Sequence, residues 1–221
     1  MKILILIFTI LSFSLSLSGE KIDIDGLIEK IEEVWHTIND YTCTVMSYTK
    51  KGNKEERSIT EQKFLKPKWI HMKIIDGNGK GSVGIYNPIT KKVKGYKSGL
   101  FKFIVLTLDI TDKRVASLRG QRIDQGDCGT LIERLIEYNK QNEFTAVTKT
   151  LHLEKPAYLF FAETKDTIKL WGAKKEHIFI DLKNFLPLRI EQLTGSGEIV
   201  HYSIYKDIKI NIGLSEEDFK P

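Results

Sequence analysis

The feature that most constrains this chain is a succession of short segments between Tyr41 and Tyr96, each cut off by turn residues. They run Tyr41–Lys50, Arg57–Lys66, Trp69–Ile75, Ser82–Tyr86 and Lys92–Tyr96, separated by Gly52-Asn53, Pro67, the stretch 76–81 and Asn87-Pro88. Segments of this length bounded by Gly, Asn and Pro read as antiparallel strands joined by tight turns. Phe64, Trp69, Met72, Ile74, Val83 and Ile85 alternate loosely with Thr, Lys and Glu, which suits a sheet with one covered and one wet face.

Two segments carry a different period. From Asp25 to Asn39, Leu27, Ile28, Ile31, Val34, Trp35 and Ile38 recur at helical spacing with Glu29, Lys30, Glu32 and Glu33 between them, and Asp25 can cap the first turn. Thr130–Asn139 repeats the pattern with Leu131, Ile132, Leu135 and Ile136. Both apolar stripes need something to lie on. Between them Leu100–Ile110 is the most continuous apolar run after the amino-terminal segment, and reads as either a buried strand or a short helix under the sheet. Strands resume at Phe144–Leu153 and Ala157–Glu163 and continue through His177–Phe219, where a Leu186-Pro187 turn and a Gly195–Gly197 reversal separate apolar strands. Many strands with few helices give an α+β layout, a curved antiparallel sheet with helices against one face.

The amino terminus reads as an address. One cation at Lys2, an apolar run from Ile3 to Leu17 broken by serines, and small residues at Ser16 and Ser18 make residues 1–18 a secretory signal peptide, with an uncleaved anchor as the alternative. Residues 19–221 then form a single domain, large enough to bury about 70% of its unfolded surface. The expected location is the periplasm. A net charge of +5, with lysines and acids interspersed, is too mild to argue for nucleic acid. Cys43 and Cys128 enter an oxidising compartment on this reading, where they either stay as buried thiols or form a bridge between the first strand and the second helix.

FIDLKNFLPLRIEQL followed by IVHYSIYKDIKINIGLSEEDF resembles the ending of LolA-like proteins, the periplasmic lipoprotein carriers. YTCTVMSYTKKG, together with LRGQR and GTLIERLIE, is similar to a bacterial secreted domain of unknown function within that superfamily. The resemblance implies an incomplete antiparallel β-barrel, with helices packed against its concave face around an apolar cavity. It also implies a protein that binds acyl chains or lipidated segments, or uses the cavity as a sensor. No functional side chain of the carriers can be carried over.

The remaining motifs are weighed on their chemistry. Gly79-Lys80-Gly81-Ser82-Val83-Gly84 matches a dinucleotide fingerprint in letters, but Pro88 and strand-like alternation follow where a helix should begin, so it reads as a glycine-rich hairpin turn. Asp76-Gly77-Asn78 lacks the carboxylates of a calcium loop, and the five histidines show no zinc spacing. Ser196 sits between strands rather than in a nucleophile elbow. No catalytic, metal or cofactor site is expected. The candidate ligand-binding set is therefore Phe64, Trp69, Met72, Phe101, Phe103, Leu106, Tyr158 and Phe160, with core packing as the alternative for each. Arg119 and Arg122, near Asp124 and Asp127, either form a salt-bridged corner or hold a carboxylate or phosphate headgroup. Lys91, Lys92, Lys94, Lys97 and Lys102 crowd a hairpin with Tyr96 and could face an anionic membrane surface or water alone. The expected function is non-enzymatic binding of a hydrophobic or lipidated ligand by a monomer. The alternative is an envelope interaction or sensor module without bound lipid.

Overall fold

The computed structural model describes residues 22–97 and 104–220. The amino-terminal address, Phe101, Phe103 and Lys102 lie outside the described residues. Helix α1 spans Ile24–His36, and Asp23 caps it by accepting from the Gly26 amide at 3.2 Å. Six strands follow: β1 (Asp40–Lys51), β2 (Lys54–Leu65), β3 (Trp69–Gly77), β4 (Val83–Asn87), β5 (Lys92–Tyr96) and β6 (Leu106–Asp109). Helix α2 (Cys128–Lys140) comes next, then β7 (Phe144–His152), β8 (Lys155–Glu163), β9 (Lys175–Asp181), β10 (Pro187–Leu193) and β11 (Ile199–Ile210).

All eleven strands join one sheet in the order β6-β5-β4-β3-β2-β1-β11-β10-β9-β8-β7. Every neighbouring pair is antiparallel. Each half is a simple meander, and the halves meet where β1 pairs with β11, so Val45 faces Tyr205, Ser47 faces Ser203 and Thr49 faces His201. Strands β6 and β7 end the order without pairing to each other, which leaves an open half-barrel. The architecture expected from the sequence is the one observed.

The helices cover one half of the inner face. Leu27, Ile28 and Ile31 of α1 and Leu131, Ile132, Leu135 and Tyr138 of α2 form a core cluster with Phe160, Ala162, Ile178, Ile180 and Ile190 from β8 to β10. Their close approach depends on Gly129, where an added Cβ would lie 2.5 Å from Trp35 Cζ2. A second cluster, with Tyr41, Cys43, Val45, Phe64, Ile70, Cys128 and Tyr205, continues the core under β1 to β3. In the other half the sheet is covered by irregular chain rather than helix. The segment 110–127 crosses it in two short 3₁₀ turns, Lys113–Val115 and Ile123–Gln125.

The described part of Leu100–Ile110 is neither buried strand nor helix. It is the edge strand β6, preceded by Ile104 and Val105, and Ile104, Val105 and Leu106 are 53%, 47% and 43% exposed. Apolar continuity marks burial only where a second layer covers the strand, and β6 has a neighbour on one side alone. The glycine-rich stretch is the β3–β4 turn, as expected, with Gly79 at φ +80° and Gly81 at φ +84°.

Candidate ligand cavity

Where helices leave the inner face free, a cavity of about 540 Å³ opens between β1–β6, β10–β11 and the covering segment. Its floor follows from strand periodicity, which puts every second residue on one face. On β1 these are Val45, Ser47 and Thr49; on β2, Ser58, Thr60 and Gln62; on β11, His201, Ser203 and Tyr205. Met72, Ile74, Val93, Leu106 and Leu108 make an apolar wall toward the β6 edge, and Val115 and Ile123 roof it. The cavity is amphipathic, apolar toward β6 and rich in hydroxyls over β1, β2 and β11.

Hydrogen bonds order the polar end. Ser47 Oγ and Ser58 Oγ lie 2.9 Å apart across β1–β2. His201 sits between two hydroxyls, with Nδ1 2.9 Å from Thr49 Oγ1 and Nε2 3.3 Å from Ser203 Oγ. Burial, reinforced by the charges of Arg119 and Arg134, pushes the imidazole down to about 4, so it is neutral near pH 7. Gln62, 1% exposed, donates to the Gly126 carbonyl at 3.3 Å and so ties the covering segment to the floor.

Beside the floor, on the same face of the sheet, lies a buried charge cluster whose Arg134 also lines the cavity. Glu176 is fully buried on β9 and accepts from Arg134 Nε at 2.8 Å, Tyr138 OH at 3.0 Å and Gln192 Nε2 at 3.0 Å. Burial is the largest single effect on Arg134 and works against its charge, but the fields of Glu176, Tyr138 and Tyr205 together with the Glu176 hydrogen bond hold its pKa above the ordinary value. Burial, followed by the field of Glu176, raises Tyr138 far above the ordinary phenol. Arg119 extends the network, donating to Gln192 Oε1 at 2.9 Å and to the carbonyls of Leu170 and Trp171 at 2.7 and 2.9 Å. These acceptors are neutral, and burial lowers the pKa of Arg119.

The residues singled out from sequence are scattered by the fold. Met72, Leu106 and Arg122 line the cavity. Phe64 instead stacks on Tyr41, ring centres 5.0 Å apart, in the second core cluster. Trp69 packs against Phe219 at 6.0 Å, while Phe160, fully buried, and Tyr158 belong to the helix-covered half. Those four serve the core because the cavity occupies one part of the inner face and they lie beyond it. Arg122 is salt-bridged to Asp124 at 3.0 Å, the corner arrangement, whereas Arg119 is held by Gln192 and carbonyls. Cys43 and Cys128 are free, buried thiols in the same cluster. Burial lifts both well above an ordinary thiol, Cys128 to about 12. Of the hairpin lysines, Lys92 is paired with Asp109 at 3.3 Å and Lys97 lines the cavity. The floor hydroxyls, His201 and the Arg134–Glu176 pair were missed. The hydroxyls and His201 left a signal as polar residues of one parity in β1, β2 and β11, but only the pairing of the first and last strands brings them together.

No protein-family model matches the sequence, and no curated protein sequence matches it. Solved structures do match in fold. An uncharacterized conserved protein from Thermus thermophilus aligns at a TM-score of 0.55 and 11% identity, over 89% of this chain and 92% of that one. The lipoprotein LppX of Mycobacterium tuberculosis aligns at 0.53 and 9% identity, over 87% and 97%. The fold is shared with both. A LolA superfamily protein from Nitrosomonas europaea aligns over 91% of this chain and 99% of that one, at 11% identity and a TM-score of 0.39. At these identities the likeness concerns the fold alone.

Proposed function

We propose that this chain is a non-enzymatic binding protein of the cell envelope, reached through its amino-terminal address, that houses an acyl chain, lipid or lipidated segment as a monomer. The observation that carries this reading is the amphipathic cavity of about 540 Å³, within the roughly 300–1,000 Å³ of small-molecule sites. Val93, nearly buried, and the partly covered Met72 and Ile74 give its far wall apolar side chains for a chain to lie against. An acyl chain of about 14 carbons gains about 11 kcal/mol gross at 0.8 per methylene, against an association cost of about 4 to 15. Binding on that balance is reversible, as a carrier requires.

Native mass spectrometry of the protein purified from its own envelope tests the proposal. A reproducible co-purifying lipid or lipidated peptide is the expected result. Protein that is reproducibly empty, and that takes up no fatty acid when titrated, would favour the interaction or sensor alternative.

A further inference from the structure

The polar end of the cavity is more specific than an acyl pocket needs. A chain of methylenes is served by the β3–β6 wall, yet Ser47, Ser58, Thr60 and Ser203 put hydroxyls on the same floor. We infer that this end holds the oxyanion head of an amphiphile, a carboxylate or phosphate, while its tail lies along Met72, Ile74, Val93 and Leu108. The inference rests on the cavity-binding reading and names the ligand class.

Proton stoichiometry supplies the first argument. A hydroxyl has one proton to give, and a neutral imidazole has one N–H and one lone pair. The Ser47–Ser58 contact uses one of the two hydroxyl protons and leaves the other. The neutral ring of His201 has one lone pair and also hydrogen-bonds the Tyr48 backbone, so at most one of Thr49 and Ser203 donates to it and the other keeps its proton. Unspent O–H donors therefore face the cavity from both sides of β1, and Thr60 adds a further hydroxyl. Such donors can all be turned toward one oxyanion, and hydrogen bonds to an ionised acceptor are the stronger kind.

Charge supplies the second. Arg134 and Arg119 are balanced by Glu176 alone within their hydrogen-bonded cluster, which leaves an excess positive charge beside the floor, with Arg134 lining the cavity itself. The same field helps hold His201 neutral. The buried carboxylate that the covering segment brings to the cavity, Asp127, is spent on the α2 amino terminus, accepting from the Thr130 amide at 3.0 Å, with Lys68 at 3.8 Å. Glu56 stands exposed at the rim.

The test uses three amphiphiles of identical acyl length: a free fatty acid, a lysophosphatidic acid and a neutral monoacylglycerol. Their affinities are measured by calorimetry on the delipidated protein and on a Thr60→Val/Ser203→Ala variant whose fold is checked by its melting curve. The wild type is expected to prefer the fatty acid or the lysophosphatidic acid over the monoacylglycerol by about tenfold or more. Whichever anion binds tighter names the head. The variant is expected to lose most of that preference while keeping its affinity for the monoacylglycerol. Equal binding of all three overturns the head assignment and leaves the cavity reading standing. An undiminished preference in the variant overturns its location, and no binding of any of the three overturns both readings.

Discussion

At the scale of single residues, His201 is the most informative side chain. It is 5% exposed, contacts Thr49 and Ser203, and feels Arg119 and Arg134 from the covering segment and α2. Its folded value of about 4 lies below the ordinary 6.5, so as pH falls the unfolded chain binds the proton first. The contribution to stability is therefore intact above about 6.5 and is lost progressively toward about 4, by on the order of 3 kcal/mol. Urea unfolding of wild type and His201→Gln across this window should show the difference between them shrinking as pH falls. A constant difference would mean that the ring is not held neutral. His201 also shows why the site was hard to read in sequence. A lone histidine in a strand carries no spacing signal, and its partner Thr49 lies 152 residues away.

At the scale of elements, the sequence was most legible where one local rule suffices. The heptad-like stripe of Leu27, Ile28 and Ile31 and that of Leu131, Ile132 and Leu135 became α1 and α2, because each stripe lies on a sheet. Gly52 at φ +59° closes the β1–β2 hairpin as its position suggests. Legibility ended at the edges, where the described part of the apolar run, Ile104 to Leu106, is exposed. The β7–β8 hairpin is another local surprise. Its two turn residues, Leu153 at φ +47° and Glu154 at φ +67°, take the left-handed conformation without glycine, and Leu153 is 62% exposed. Such turns favour Asn-Gly, and a left-handed non-glycine residue costs about 1–2 kcal/mol. Leu153→Asn/Glu154→Gly should therefore raise the unfolding free energy by about 1 kcal/mol or more, read from a shifted denaturation midpoint at unchanged slope. A lower midpoint would show that Leu153 contributes packing that outweighs the strain.

At the scale of the whole molecule, the half-barrel is divided between two tasks. The β8–β10 half buries its inner face under α1 and α2, and the β1–β6 half leaves a cavity under irregular chain latched by Gln62 and Arg119. That division explains why the aromatic set read from sequence split as it did. Large size and hydrophobicity mark burial, which Phe64, Trp69 and Phe160 achieve, whereas the cavity wall is made of smaller aliphatic residues and hydroxyls. Strand parity could be read from sequence, but the side of the sheet that helices would leave open could not.

The central claim is that an acyl chain occupies this cavity, and a fluorescent fatty-acid titration of wild type against Ser58→Trp tests it most directly. Ser58 lines the floor, so an indole there fills space the ligand would use and keeps its chain from seating. Saturable binding by the wild type, reduced at least about tenfold in a variant with an unchanged melting curve, is the expected result. Equal binding by both proteins would contradict the account, because the ligand would then lie elsewhere.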